Sequence, residues 1–150
     1  MEQRDFGIVL GLAYVGFVDE LHAELAEKGF SDLGRHYGYV FRTLDAGPAT
    51  ATAIARGLGI TLQGASKLVA EMVERGYLVR EPDPSDARVK VLRLGPRGES
   101  ALAAARAFHR NFERRLVRRI GAERARVVRE VLTAMAAADE GKALLTAPRL

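Results

Sequence analysis

The spacing of apolar residues changes near position 77 of this 150-residue chain. Residues 50–75 place apolar side chains at helical spacing, whereas residues 77–81 and 88–94 alternate apolar and polar side chains as strands do. The segment 82–87 between the two alternating runs is rich in proline and aspartate, which favour turns. The pattern predicts short helices followed directly by an antiparallel hairpin.

Capping residues predict two short helices before the hairpin. Thr50 can accept a backbone N–H bond at the start of the first, which runs to about Leu58. Thr61 can do the same for the second, which runs to Arg75. Gly59 lies between them and permits the positive φ that a tight turn between helices requires. We therefore expect a helix-turn-helix.

Further helices are predicted on both sides of this unit. Apolar residues recur at helical spacing over 6–28, 32–45, 97–120 and 123–138. Ser31 or Asp32 can cap the second of these helices, and Gly121 interrupts the last two. The first helix is apolar on more than one side, which is typical of a helix covered by a second subunit.

The outer face of the helix at 61–75 has the composition of a DNA-reading surface. Gln63 can pair with an adenine edge, and Lys67 can reach guanine or phosphate. Such residues near a helix N-terminus suit a recognition helix in the major groove. An ordinary solvated polar face is the alternative. The candidate DNA contacts are Thr61, Leu62, Gln63, Gly64, Ser66 and Lys67, with Arg56 on the preceding helix.

The hairpin loop supplies cations beside this helix. A loop placed after a helix-turn-helix can lay Arg88 and Lys90 along the neighbouring minor groove or backbone. Asp86 can pair with Arg88, so Arg88 is a structural partner, a DNA contact, or both. A plain surface turn is the alternative.

These features together resemble the MarR family of regulators. The loop 83–88, DPSDAR, matches that family's D-P-x-D-x-R signature, and 74–78, ERGYL, resembles its exit from the recognition helix. The resemblance extends through the flanking helices over about the whole chain. It implies a triangular α/β homodimer that binds palindromic operator DNA as a repressor and is released by small anionic, often phenolic, ligands.

Three residues depart from the family pattern. Ala87 lies where many relatives have a second arginine, so the loop is expected to contact DNA more weakly. Gly95 replaces a threonine that commonly caps the next helix. Gly64 replaces a larger polar residue, so the operator sequence cannot be inferred from relatives.

The predicted fold is mainly α with a small β-hairpin wing (α+β), a winged helix-turn-helix with long N- and C-terminal dimerisation helices. We expect one domain over 1–150, with a DNA-binding lobe at about 32–95 and dimerisation helices at about 6–28 and 97–140. A helix-turn-helix monomer reads only a few base pairs, so a homodimer is expected. An intramolecular core is the alternative use of the predicted interface, which consists of Leu12, Val15, Leu116, Ile120, Val127, Val131 and Leu132.

An aromatic wall with a cation suits an aromatic or phenolic effector. Aromatic residues at helical spacing also form ordinary core, and that alternative stays open. The candidate ligand residues are Phe17, His36, Tyr39, Arg42 and Phe108.

Composition limits the remaining function classes. The net charge of +4 favours an anionic partner such as double-stranded DNA. The absence of cysteine excludes disulfides and thiolate zinc sites and fits a reducing cytosol. No uninterrupted apolar run approaches the roughly 20 residues of a membrane span, and no signal peptide is evident, so a cytoplasmic protein without a membrane partner is expected.

No enzyme motif is present. We find no phosphate loop, nucleophile elbow or supported carboxylate pair, and the three histidines lack metal-site spacing, so no catalytic residue, metal or cofactor is expected. The favoured function is sequence-specific transcriptional regulation. The alternatives are a ligand-independent chromosome-associated protein of the same fold and a winged-helix module that binds proteins.

Overall fold

The computed structural model describes residues 4–137 and confirms the mainly helical fold with one small hairpin. The predicted ends of the last helix at 138 and of the dimerisation region at 140 lie outside the described residues. The elements are α1 (Phe6–Glu27), α2 (Tyr37–Asp45), α3 (Ala51–Leu58), α4 (Leu62–Glu74), β1 (Leu78–Pro82), β2 (Lys90–Leu94), α5 (Pro96–Ile120) and α6 (Ala122–Ala137).

The helix-turn-helix forms as its capping residues predict. The Thr50 side chain accepts a bond of 3.1 Å from the Ala53 amide, and the Thr61 side chain accepts one of 3.0 Å from the Gly64 amide. Gly59 adopts a φ of +63°, in the left-handed region that an alanine there would populate only with strain. Local hydrogen bonds therefore fix both the start of α4 and its turn from α3.

The hairpin is shorter on its second strand than the alternation predicts. β1 pairs antiparallel with β2 from Leu78 opposite Leu94 to Pro82 opposite Lys90. The predicted strand at 88–94 begins only at residue 90, because the Val89 amide turns back to the Asp86 carbonyl at 2.9 Å. The loop is correspondingly longer.

The second helix also begins later than predicted. It was expected over 32–45 with Ser31 or Asp32 as its cap, but α2 starts at Tyr37 and turns occupy the preceding residues. Asp32 does not cap the helix. Its carboxylate accepts bonds from the Tyr77 hydroxyl and the Arg97 guanidinium instead. The Asp32 side chain therefore makes tertiary hydrogen bonds in place of the local capping bond that was predicted.

One hydrophobic core joins the helix-turn-helix, the hairpin and the first turns of α5. Tyr37 and Tyr77 lie at its centre, with ring centroids 5.5 Å apart. Ala101 and Leu102 bring α5 into the same core. The start of α5 is therefore built into the lobe that carries α4.

The terminal helices form a separate layer. Phe17 of α1 contacts Phe108 and Phe112 of α5, with ring centroids 5.5 and 4.8 Å away. α6 folds back after Gly121, and its Arg129 pairs with Glu113 of α5. The large apolar residues left exposed on α1 and α6 are Phe6, Ile8, Val9, Leu12, Tyr14, Val127, Val128, Val131, Leu132 and Met135.

The sequence contains no uninterrupted apolar run near the roughly 20 residues of a membrane span, but a helix interrupted by a few charges can still reach the required mean hydropathy. Within the described part of the chain, α1 is long and apolar enough by length and composition, with a mean hydropathy of 1.4 over 18 residues. Its window is uncovered in a single chain. An apolar helix of a soluble protein passes the same test.

Candidate nucleic-acid interface

The N-terminal half of α4 has one buried face and one free face. Ala65, Val69 and Met72 are fully buried against the core. The predicted contact residues are all exposed, and they are Thr61, Leu62, Gln63, Gly64, Ser66 and Lys67. Arg56 on α3 is exposed as well. The fold leaves these side chains available to a partner.

Leu62 is the one large apolar residue on that face. It is 53% exposed at the first position of α4, where core packing has no use for it. An exposed leucine between hydrogen-bonding residues suits a surface with both apolar and polar features. The edge of an adenine–thymine pair in the major groove has both.

The wing loop is held by aspartates. Asp86 accepts a bond of 3.1 Å from the Arg88 amide and pairs with its guanidinium at 3.2 Å. Asp83 accepts a bond of 2.7 Å from the Ser85 amide. Bonds from Ser85 lower the pKa of Asp83, so its carboxylate stays charged and keeps the turn closed.

Arg88 can act both as the partner of Asp86 and as a DNA contact, the two roles that the sequence left open. Its side chain remains 92% exposed although it pairs with Asp86. An exposed ion pair contributes little stability, so the guanidinium can leave it for a phosphate at small cost. Lys90 is exposed at the start of β2.

Arg80 is a cation that the sequence analysis missed. It lies on β1 opposite Leu92 and is exposed. The signal that could have found it is its charge, the one positive charge within 77–81. By contrast, Arg93 of β2 pairs with Glu81 at 2.7 Å.

The candidate ligand residues are only partly brought together. Phe17 and Phe108 are in contact, and His109 joins them with its ring centroid 5.5 Å from that of Phe17. Burial, with a smaller effect of the Arg42 charge, lowers the pKa of His109, so the imidazole is held neutral.

Tyr39 and His36, two of the five ligand candidates, lie within α2 and directly before it. Tyr39 packs against α3, where a Cβ on Gly57 would lie 1.7 Å from the tyrosine hydroxyl. His36 directly precedes α2 and is half-buried. The ligand wall that joins Tyr39 with Phe17 and Phe108 stays a prediction.

The predicted interface residues are on the terminal helices, as expected, and are uncovered to different degrees. Val15, Leu116 and Ile120 are half-buried within the α1–α5 layer. The more exposed members are Leu12, Val127, Val131 and Leu132.

A helix-turn-helix whose second helix is exposed, followed by a hairpin with an exposed arginine, defines a winged helix-turn-helix protein. Residues 31–89 match the model of the MarR family. The matched residues include the 83–88 signature, and over this segment the chain is similar to the MarR family. No curated protein matches the chain.

Solved structures of similar fold include several regulators. RV1404 from Mycobacterium tuberculosis superposes with a TM-score of 0.77 at 18% identity, covering 93% of this chain and 97% of its own. A MarR-like transcriptional regulator from Thermotoga maritima gives 0.70 at 22% identity, covering 91% and 97%. A mutant of S. aureus MepR bound to an oligodeoxyribonucleotide gives 0.65 at 19% identity, covering 91% and 99%. Identity at this level shows that the fold is shared.

Proposed function

We propose that this chain is a MarR-family transcriptional regulator, a homodimer that binds a specific palindromic operator, acts as a repressor and is released by a small anionic aromatic ligand. The observation that carries the DNA-binding part is the free face of α4. Six consecutive or near-consecutive exposed residues at a capped helix N-terminus include Gln63, Ser66 and Lys67, and the core uses none of them. The shared fold with a MepR mutant bound to DNA supports the same use here.

The wing extends this surface. Arg88, Lys90 and Arg80 are exposed cations on or beside one hairpin, and a hairpin after a recognition helix reaches the adjacent backbone or minor groove. Phosphate contacts fix the register of a protein on DNA, while α4 reads the bases. The two elements therefore divide orientation and sequence readout between them.

The second copy in the dimer covers the terminal helices. Leu12 on α1 and Val131 and Leu132 on α6 are about half exposed, and such a concentration of large apolar residues is unusual on a monomer surface. A twofold arrangement covers the same patch on both chains at once. Such a dimer would also account for the apolar surface of α1 in a cytoplasmic protein.

The effector part rests on the layer between α1 and α5. Phe17 is half-buried beside His109, and Arg42 is exposed nearby on α2. An aromatic carboxylate would stack on the ring and pair with the guanidinium. Because α2 belongs to the DNA-binding lobe and α1 to the terminal layer, such a ligand would bias their relative position.

The test is selection of bound fragments from genomic DNA by the purified full-length protein, followed by affinity measurements over a range of salt. We expect one enriched inverted repeat, and a log–log salt slope of about −0.9 for each phosphate neutralised. Lys67→Ala should weaken binding to all sequences, and Gln63→Ala should relax sequence preference. Glu74→Ala, an exposed change at the far end of α4, is the matched control.

The same experiment separates the alternatives. A ligand-independent chromosome-associated protein would bind unrelated duplexes nearly as tightly as any selected fragment. A protein-binding module would enrich no DNA and show no salt slope. Either result would refute the operator-binding proposal.

A further inference from the structure

The guanidinium of Arg97 joins three parts of the chain that are distant in sequence. Arg97 is the second residue of α5, and its two terminal nitrogens donate to both Asp32 carboxylate oxygens at 3.1 and 3.0 Å. The same nitrogens donate to the Arg75 carbonyl at 2.8 Å and the Gly29 carbonyl at 3.1 Å. Gly29 follows α1 and Arg75 follows α4, so one side chain ties the ends of both helices to the start of α5.

An aromatic ring fixes the plane of this guanidinium. Arg97 lies over the ring of Tyr77, with its central carbon 4.3 Å from the ring centroid. The Tyr77 hydroxyl donates to Asp32, and burial raises the pKa of that hydroxyl to about 12. The bond from Tyr77, followed by those from Arg97, lowers the pKa of Asp32. At neutral pH the donors and acceptors therefore stay in the protonation states that the network needs.

A second arginine extends the network along α4. Arg75 donates to the Asp32 carbonyl at 2.7 Å and to the Tyr37 hydroxyl at 2.9 Å. It also pairs with Glu71, one turn earlier on α4, at 3.1 Å. The last turn of the recognition helix is thus held from two sides.

Backbone packing at the same place leaves little room for adjustment. A Cβ on Gly98 would lie 2.1 Å from the Tyr77 carbonyl oxygen, so the first turn of α5 sits directly on the chain leaving α4. α5 then continues as one helix of 25 residues to Ile120, where it meets α1 and α6. A tilt of α4 relative to α5 at this point would therefore change the position of α4 relative to the far end of α5.

We infer that Arg97 is a positioning residue that fixes the recognition helix relative to the dimerisation helices and thereby sets the half-site spacing that the dimer accepts. The inference rests on the proposed function. In a twofold dimer the separation of the two α4 helices is set by how each is held on its own α5. One base pair of extra spacing moves a half-site by about 3.4 Å and rotates it by about 35°. A dimer with rigidly held α4 helices therefore loses affinity for such an operator, whereas a dimer with loosely held α4 helices still binds it.

The first test measures binding to the selected inverted repeat with its half-sites moved by −1, 0, +1 and +2 base pairs. We expect the parent protein to lose at least about tenfold in affinity for each changed spacing, the scale of one mismatched position. Arg97→Ala should reduce that penalty to less than about threefold while still binding the selected spacing. Arg97→Lys should resemble it, since an ammonium group cannot reproduce the planar, paired contacts.

The matched control is Arg106→Ala, which removes the same charge and an ion pair to Asp45 from the same helix without touching the network. It should keep the full spacing penalty. If Arg97→Ala keeps it as well, the inference is wrong. If the parent protein selects no inverted repeat, the proposed function has failed and the inference falls with it.

A second measurement does not need DNA. The chain contains no cysteine, so Gln63→Cys introduces a single spin-label site at the start of each recognition helix. We expect a narrow distribution of label-to-label distances in the parent dimer, a broad one with Arg97→Ala and a narrow one with Arg106→Ala. If Arg97→Ala does not fold, Asp32→Asn replaces it as the test variant, because it keeps an acceptor for Tyr77. We expect Asp32→Asn to give a distance distribution of intermediate width. Equal widths in all folded variants would refute the inference.

Discussion

Individual side chains on α4 are freed for binding because their neighbours satisfy the fold. Ala65 and Val69 bury the inner face, and Thr61 satisfies the Gly64 amide. Leu62, with no core to enter, remains 53% exposed. An exposed leucine contributes no free energy of apolar burial to folding. Contact with a thymine methyl group would remove its apolar surface from solvent and so favour binding.

Leu62 is therefore expected to read a thymine methyl group. Replacing each operator thymine in turn by deoxyuridine, which lacks that methyl, should weaken binding at one position per half-site by about fivefold to tenfold, the low end of a single base contact. In Leu62→Ala the parent operator should bind more weakly, and the same deoxyuridine should cause no further loss. Competition binding measures both, with Ser66→Ala as the matched control. A deoxyuridine effect that persists unchanged in Leu62→Ala would contradict this role.

His109 is expected to make stability depend on pH. Burial, then the charge of Arg42, lowers its pKa, while Glu113 opposes the shift. The unfolded chain therefore takes up a proton near the ordinary pKa of about 6.5 before the folded chain does, and stability falls as the pH drops below that value. Above it the residue contributes no pH dependence. Asp32 titrates outside this range, because its pKa is lowered from an ordinary value of about 3.9.

Thermal unfolding at pH 7.5 and 5.5 tests the effect. The Tm should be lower at pH 5.5, and the difference should shrink in His109→Phe, which keeps an aromatic ring beside Phe17. His22→Gln, at an exposed histidine on α1, serves as the comparison. An undiminished difference in His109→Phe would assign the pH dependence to other groups.

Among the elements, the join between α4, the hairpin and α5 is closely packed. The Gly95 amide donates to the Tyr77 carbonyl at 2.8 Å, and Gly98 approaches the same carbonyl one turn later. Tyr77 itself is fully buried. The wing and α5 are thus fastened to the end of α4 by backbone contacts as well as by the Arg97 network.

Gly98→Ala should destabilise the protein by about 1–3 kcal/mol, the usual result of forcing an atom into a packed contact. The added Cβ meets a backbone carbonyl, which cannot swing aside as a side chain can. Gly38→Ala is the matched control in the first turn of α2, where a Cβ meets nothing within 4 Å. It should stabilise the protein by about 0.5–1 kcal/mol through helix propensity. Urea unfolding measures both, and equal midpoints for the two variants would contradict the close approach.

At the scale of the whole molecule, the terminal helices leave large apolar side chains exposed. Phe17 and Phe108 bind α1 to α5 within one chain, but most of the apolar surface of α6 faces outward. α6 contacts α5 through the ion pair of Arg129 with Glu113, which is exposed and weak on its own. Covering α6 by a second copy is what would hold this layer in place.

Leu132→Glu is expected to break the dimer. A carboxylate buried without a partner costs about 3–5 kcal/mol, which weakens association by at least about a hundredfold. Val89→Glu changes a valine on the wing that is 40% exposed, close to the 47% of Leu132, and should leave the dimer intact. Light scattering coupled to gel filtration at micromolar concentration distinguishes the two species. A dimer that survives Leu132→Glu would exclude this face as its interface.

Features that depend on a few neighbouring residues follow from the sequence alone. The caps at Thr50 and Thr61, the turn at Gly59 and the Asp86–Arg88 pair were all predicted and are all present. Each involves groups within three residues of one another or a single backbone φ, so no distant segment can change the outcome much. The same local signals located the exposed face of α4.

Contacts between distant segments were decided by the tertiary structure. Asp32 was expected to cap a helix but meets Arg97, 65 residues later, and α2 consequently begins at Tyr37. The packing of Tyr39 on α3 was likewise not indicated by helical spacing. Helical spacing tells which residues share a face, but the rotation of each helix about its axis, and the partner that a half-buried charge finds, depend on how all the elements pack at once.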